Sequence, residues 1–349
     1  MSALRDLPVS TQVALLFVLL FGVLALVTLA ALLHSLRDDA GGDTQTAEGT
    51  AAAADPALPG RQRRPLEGAR RSRNGGESFH RELRAVWSGA VVFWLAWVSG
   101  PAGATLLFGL VSFLVLREYL SLMHTRRGDH RTLILAFFVV LPLQYLLVAN
   151  RNFDLFTVFI PVYVFFAVPV VSALAGDPER YLERNAKIQW GLTVCIYGLS
   201  HTPALLLLEF PRFADRGAFL VFFLVVVVVT AELVQDLAAR RFKGAPFARA
   251  ISTSFSYRAW FVGAFAAAFV GALLYWITPF KAGQAAAMAF IASGAGTMGE
   301  FVMKALKRDA GVQHWGNQAA VTGAVGLLDR VAPLCFAAPV FFHSARWWT

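Results

Sequence analysis

The sequence predicts an all-α, polytopic integral membrane protein with about ten transmembrane helices. Of its 349 residues, 57% are hydrophobic and only 15% are charged, and the mean hydropathy is +0.57. Soluble domains carry about 25% charged residues, so this composition excludes an ordinary soluble fold. A helix needs about 20 apolar residues to cross a membrane. Apolar windows that approach or reach this length lie at 13–33, 86–100, 103–122, 133–149, 153–175, 188–208, 217–237, 259–278, 284–303 and 321–343.

The chain divides into three predicted parts. Residues 1–34 form an N-terminal membrane anchor, because the apolar run 13–33 is too long for the core of a cleaved secretory signal. Residues 35–85 form a disordered, basic cytoplasmic linker, since this small, polar segment with Pro and Gly cannot bury enough apolar surface to fold. Residues 86–349 form the polytopic domain.

Loop charge predicts the orientation of the chain. Most of the 31 Lys and Arg fall in alternate segments, and the positive-inside rule places those segments in the cytoplasm and the amino terminus outside. This topology and contact with anionic lipid explain most of the net charge of +9, and no nucleic-acid partner is expected. The expected location is the inner (plasma) membrane, as a multi-pass protein. The basic segments are 35–85, 123–132, 176–187, 238–258 and 304–320.

The stretch from Gly299 to Arg330 carries a dense set of charges between two hydrophobic segments. Charges at membrane depth are costly and usually face a wet cavity where something binds. On a helix, residues spaced i, i+4, i+7 and i+8 share one face, which suits a polyphosphate and its metal ion. Asp329 and Arg330 add two more charges inside the last apolar window. The four residues with helical spacing are Glu300, Lys304, Lys307 and Arg308.

A second acidic pair lies at the end of the window 217–237. Glu232 and Asp236 are four residues apart, so on a helix both carboxylates could share a divalent cation with phosphate oxygens. The alternative is an ordinary helix end, with Asp236 paired to Arg240 at the surface. The sequence does not decide which of the two carboxylates binds metal.

For several other residues the sequence supports only a general interpretation. Glu118 is predicted to be either an interfacial partner of Arg117 or a pocket residue. The small residues between Ala292 and Gly299 predict a close helix-packing face. Cys195 and Cys335 both fall in apolar windows, which predicts two small hydrophobic side chains rather than a disulfide or a zinc site. No phosphate-binding loop, dinucleotide fingerprint, zinc-protease helix or serine elbow is present.

The charged C-terminal stretch resembles the signature of the integral-membrane phosphatidate cytidylyltransferases (CDP-diacylglycerol synthases). In that signature an acidic residue precedes Lys-Arg, Lys-Asp, Gly-His-Gly-Gly and a final Leu-Asp-Arg-hydrophobic-Asp. The matching elements are Lys307-Arg308, Trp315-Gly316 and Leu328-Asp329-Arg330-Val331, followed by an apolar run that is similar to the family's last helix. Weaker similarity extends to Ile251-Ser252 and Trp260, where Arg258 stands for the family's Lys.

The chain departs from the signature at several positions. Gln313-His314 replaces Lys-Asp, Ala324-Val325-Gly326 replaces His-Gly-Gly, and Ala332 replaces the final Asp. About two extra residues also lie between Trp315 and Gly323. His314 is read either as a solvated loop residue or as a substrate contact.

The resemblance implies transfer of a cytidylyl group from CTP to phosphatidic acid, which gives CDP-diacylglycerol and pyrophosphate with Mg²⁺ as the cofactor. The implied partners are CTP, phosphatidic acid and membrane lipids, and a homodimer is compatible with the sequence. The implied catalytic residues are Lys307, Arg308, Asp329 and Arg330, with Lys304, Arg258 and His314 as substrate contacts. The implied metal ligands are Asp236, Glu232, Glu300 and Asp329.

Two other functions fit the same residues. The departures are also expected of a catalytically silent relative that binds lipid or nucleotide. The intramembrane charges could instead line the path of a transporter.

Overall fold

The computed structural model describes residues 98–123, 125–210, 216–242, 246–252, 255–312, 315 and 326–347, together with helical positions 11, 12, 15, 18, 22 and 25. The predicted linker 35–85, most of the predicted anchor 1–34 and His314 lie outside the described residues. From residue 98 onward the described chain is helical and contains no strand, which confirms the all-α prediction.

Eight helices follow one another in this part of the chain. They are α1 (Gly100–Ser121), α2 (Arg127–Ala149), α3 (Phe153–Ala173), α4 (181–206), α5 (Gly217–Arg241), α6 (Tyr257–Leu273), α7 (Ala282–Asp309) and α8 (Leu327–Arg346). Three of them contain a π-helical segment, at Ala136–Val140 in α2, Phe159–Val164 in α3 and Leu192–Gly198 in α4. Such segments insert an extra residue into the helical turn and shift the faces on either side of it.

Five of these helices, α1, α2, α3, α5 and α7, are long and apolar enough to span a membrane. The remaining three correspond to apolar windows of the sequence but differ in length or polarity. Helix α6 has only 17 residues, α4 opens with charged turns, and α8 carries Asp329 in its first turn and Arg346 in its last. The total of about ten spans therefore stays a prediction.

The helices pack in a chain of neighbours. Helix α1 packs on α2 and α4, α4 packs on α8, α8 packs on α7, and α7 packs on α6 and α5. Close approach depends on small residues, because a Cβ at Gly198 of α4 would overlap the Cys335 carbonyl of α8. Buried Ala292, Ser293, Gly294 and Gly296 confirm the predicted packing face on α7. Cys195 and Cys335 are buried free thiols, as predicted.

Side-chain contacts sort the connections into two ends. At one end, Arg151 pairs with Glu209 and Asp154 pairs with Arg346, so the α2–α3 connection lies beside the ends of α4 and α8. At the other end, Arg126 and Arg184 both contact Asp177, which joins the α1–α2 and α3–α4 connections. We call this second end the basic end, since the basic segments 123–132 and 176–187 meet there. The predicted orientation requires these two basic segments to lie on the same side of the membrane.

Candidate active site at the basic end

The last turns of α7 carry the predicted row of charged residues. Glu300 and Lys304 form an ion pair of 2.8 Å along the helix, and Lys307 continues the row one turn later. Lys307 and Arg308 stand in the last turn, where cations interact favourably with the helix dipole. The predicted helix through these residues is confirmed. Arg308 itself is exposed.

Helix α7 ends in a turn at Gly311. Gly311 adopts a positive φ of 69°, its N–H donates to the Arg308 carbonyl, and the N–H of Val312 donates to the Lys307 carbonyl. These two bonds are the Schellman motif, which requires a left-handed residue and favours glycine. Trp315, four residues after Gly311, is buried, and the centroid of its ring lies 5.6 Å from that of Tyr119.

Asp329 lies in the first turn of α8 and faces the end of α7. Its Oδ1 accepts a bond of 2.5 Å from Lys307 Nζ, and its Oδ2 accepts one of 3.2 Å from the backbone N–H of Trp315. The carboxylate therefore joins three separate segments of the chain. Arg330, one residue later, is exposed and lies on a different face of α8 from Asp329, because adjacent residues do not share a helical face.

The second predicted acidic pair approaches the same row from α5. Glu232 is half-buried and interacts electrostatically with Glu300 and Asp236, which repel it, and with Lys304, which attracts it. Asp236, one turn further along, is exposed. Glu232 thus lies near two other carboxylates and one lysine among the described residues, and a divalent cation would reduce the repulsion between Glu232 and Glu300.

The fit to Mg²⁺ can be tested on these residues. Mg²⁺ commonly binds through one or two carboxylates and completes its shell with substrate phosphates and water. Glu232 and Glu300, on neighbouring helices, offer such a pair of hard oxygen ligands. Within the part of the chain that the structure describes, no three metal-ligating side chains converge, so substrate oxygens would have to complete the shell. Asp329 is engaged by Lys307, and its assignment to metal stays a prediction.

Arg258 is a predicted substrate contact that does not belong to the charged row on α7. Arg258 is exposed in the first turn of α6. The loop before it packs on α7 through Phe255 and Phe247, whose rings lie 4.6 Å and 6.1 Å from that of Phe301. This contact brings the basic segment 238–258 to the residue next to Glu300.

The sequence analysis did not find one group that shapes the site, and it left the role of a second, Glu118, open between a partner of Arg117 and a pocket residue. The Trp315 backbone N–H binds Asp329, and nothing in the sequence pattern signals a backbone donor. Glu118 of α1 is 4% exposed and accepts hydrogen bonds from the backbone N–H groups of Gly326 (2.6 Å) and Leu328 (2.9 Å). Arg117 precedes Glu118 by one residue, so its side chain lies on another face of α1. This geometry argues against the alternative in which Glu118 is the partner of Arg117.

A cavity of about 580 Å³ lies away from this row. Its lining comes from the first turns of α7 and the last turns of α8, including Gln284, Met288, His343 and Trp347. Along α7, Gln284 and Lys304 are separated by roughly 30 Å at 1.5 Å per residue. The cavity is therefore not part of the charged row.

Fold and site together define a class of protein: a helical membrane protein with a charged, phosphate-compatible row at one end of its bundle. Comparison with known proteins specifies the family. The model of the cytidylyltransferase family matches residues 79–348. The chain is also 33% identical over 282 residues to the uncharacterized protein YnbB of Escherichia coli (strain K12), which covers 79% of this chain and 89% of YnbB. The chain belongs to the cytidylyltransferase family, and this membership implies nucleotidyltransferase chemistry.

Proposed function

We propose that the protein transfers a cytidylyl group from CTP to phosphatidic acid, forming CDP-diacylglycerol and pyrophosphate at the inner (plasma) membrane. The observation that carries this proposal is the cluster of charges at the end of α7. It consists of the α7 row together with Glu232 of α5 and Asp329 of α8. The α7 row is Glu300, Lys304 and Lys307. The cluster combines hard oxygen ligands with cations at the basic end of a membrane bundle. Family membership supports CTP as the nucleotide.

The chemistry needs alignment more than activation. An oxygen of the phosphatidic acid phosphate bonds to the α-phosphorus of CTP, and the bond from that phosphorus to the β-phosphate oxygen breaks. The electron pair leaves with pyrophosphate. Because the lipid phosphate is already a nucleophile, the protein mainly has to orient both substrates and stabilise the charge that develops on the leaving group.

The charged row suits these two tasks. Lys304 and Lys307 are 28% and 15% exposed, so each is held by its neighbours while its ammonium remains within reach of a ligand. Both would neutralise phosphate oxygens, with Arg308 and Arg330 contributing from the exposed rim. Glu232 and Glu300 would hold Mg²⁺. The ion would supply Lewis-acid stabilisation of the phosphate oxygens when bound.

The Lys307–Asp329 pair has a further use in this scheme. A lysine paired to a carboxylate is oriented before the substrate arrives, and an incoming phosphate can compete for the ammonium. Asp329 would then be released to the solvent or to a cation. This exchange requires that the pair be partly exposed, and Asp329 is 26% exposed.

The deciding experiment uses purified full-length protein in vesicles with CTP, Mg²⁺ and phosphatidic acid. CDP-diacylglycerol and pyrophosphate should form in equal amounts. Phosphatidylglycerol is the matched control lipid, because its phosphate is a diester and lacks the free phosphomonoester oxygens of the proposed nucleophile. Binding of CTP without any product would instead identify a catalytically silent relative, and solute flux without nucleotide chemistry would identify a transporter.

A further inference from the structure

A buried carboxylate of α1 holds the start of α8. Glu118 Oε1 accepts the Gly326 N–H and Oε2 accepts the Leu328 N–H, so both oxygens are used on one short segment. The partners lie 208 and 210 residues away in sequence. Gly326 itself has a positive φ of 75°, which glycine adopts without strain.

The physical chemistry of a helix start explains why this contact is firm. The first N–H groups of a helix have no partner within the helix and carry part of the positive end of its dipole. A local Ser or Asp usually accepts from them. In α8 a carboxylate from another helix takes this place, and because it binds two donors it fixes both the position and the direction of the segment.

The next residue after this segment is Asp329. Its carboxylate binds Lys307 on one side and the Trp315 backbone N–H on the other. Trp315 in turn packs on Tyr119, the neighbour of Glu118. One turn of α1 therefore supports Asp329 both through α8 and through the segment that carries Trp315.

We propose that Glu118 is a positioning residue of the nucleotidyl-transfer site, acting on Asp329 and through it on Lys307. This inference rests on the proposed function. Glu118 is not assigned to metal, since both of its oxygens already accept N–H groups and a cation would have to displace them. The start of α8 is likewise closed to substrate phosphate, because a carboxylate occupies it.

The test compares Glu118→Gln with Ser112→Ala in the full-length protein. Gln offers one acceptor where the carboxylate offers two, and its NH₂ group would face an N–H donor. Ser112 is a matched control on the same helix, since it is fully buried and hydrogen-bonds Tyr145 and the Cys195 carbonyl, away from α8. Two quantities are measured: backbone amide exchange of residues 326–332, and kcat and KM for CTP with phosphatidic acid vesicles.

For Glu118→Gln we expect faster exchange in 326–332 and a loss in kcat of roughly 10²-fold, as for a misplaced catalytic group, while KM for CTP stays near the wild-type value. Ser112→Ala should change neither quantity. Unchanged exchange, unchanged kcat, or an equal loss in both variants would overturn the proposal. If Glu118→Gln does not fold, Glu118→Asp replaces it, and a folded Asp variant with wild-type kcat would overturn the proposal.

The exchange measurement separates this inference from the proposed function. A wild-type protein that makes no CDP-diacylglycerol refutes the proposed function. Faster exchange of residues 326–332 in Glu118→Gln alone would still support the placement of α8 by Glu118, and unchanged exchange would refute it without reference to turnover.

Discussion

Lys307 Nζ lies 2.5 Å from Asp329 Oδ1, so the last turn of α7 is joined directly to the first turn of α8. Each residue stands where its own helix favours its charge, a cation at a C-terminus and an anion at an N-terminus. Both helix dipoles therefore favour the pair, once packing brings the two helix ends together. Its partial exposure leaves it open to a charged ligand.

Loss of either member of this pair should abolish most activity. We expect Lys307→Ala and Asp329→Asn to lower the rate of CDP-diacylglycerol formation by roughly 10²–10³-fold, the effect of removing one group that stabilises developing charge. Arg330→Ala should also lower it. Initial rates are measured with saturating CTP and phosphatidic acid.

The matched control is Asp309→Asn, an exposed acidic residue two positions after Lys307. It should keep the wild-type rate. Thermal unfolding should show all four variants folded, since both members of the pair are partly exposed. A folded Asp329→Asn protein with wild-type turnover would refute the functional assignment.

A buried ion pair at the basic end should matter for stability. Arg184 is 5% exposed and lies 3.2 Å from Asp129, which is 1% exposed, and 2.6 Å from Asp177. Arg184→Ala would leave the Asp129 carboxylate buried without its cation, which costs about 3–5 kcal/mol. Equilibrium unfolding in detergent measures this loss.

The control for that change is Arg180→Ala on the same connection. Arg180 is exposed and pairs with Glu183 at the surface, so its loss should cost less than about 1 kcal/mol. Equal destabilisation by both substitutions would show that the buried cluster has no special role.

Stability should also depend on pH through Asp177. The pKa of this carboxyl is lowered from its usual 3.8. The hydrogen bond from the Arg184 guanidinium has the largest effect, and the one from the Glu179 backbone N–H has the second largest. A folded-state pKa below the unfolded value stabilises the fold above pH 3.8, and this contribution is lost as the pH falls below it. The wild-type thermal midpoint should therefore fall more steeply from about pH 5 to about pH 3 than that of Asp177→Asn. Parallel curves for the two proteins would contradict the pairing.

The sequence predicted the helices and the charged row on α7. It did not predict which groups Asp329 contacts beside that row. Helical spacing placed Glu300, Lys304 and Lys307 on one face because that periodicity is a property of the backbone alone. The two partners of Asp329, Lys307 and Trp315, lie 22 and 14 residues before it in sequence. Their meeting depends on tertiary packing and on a backbone N–H that no residue type reveals.

Where the chain departs from the family signature, the resemblance does not assign a role to the residue that is present. Asp329 lies opposite Lys307 of α7, whereas Gln313 and His314 lie outside the described residues. If His314 replaces a metal carboxylate, Mn²⁺ should support turnover better than Mg²⁺, because imidazole suits softer ions. Rates with each ion decide this point.

Two glycines of α7 should respond in opposite ways to the same change. A Cβ at Gly299 would overlap the ring of Phe336 on α8, so Gly299→Ala should cost about 1–3 kcal/mol and disturb the neighbouring Glu300. At Gly283 a Cβ would meet no atom within 4 Å, and Gly283→Ala should stabilise the protein by about 0.4–1 kcal/mol. Equal effects in unfolding experiments would refute the close packing of α7 on α8.

The sidedness of the bundle can be tested at its two ends. The contact of Glu118 with Leu328 and that of Lys307 with Asp329 place Ala310 at the basic end, whereas Glu209 pairs with Arg151 at the other. The positive-inside rule predicts that the basic end is cytoplasmic. In intact cells an impermeant thiol reagent should label Glu209→Cys and leave Ala310→Cys unlabelled until the cells are opened. The native Cys195 and Cys335 are buried and should not react. Labelling of position 310 from outside would remove the charged row from the compartment that supplies CTP, and with it the proposed reaction.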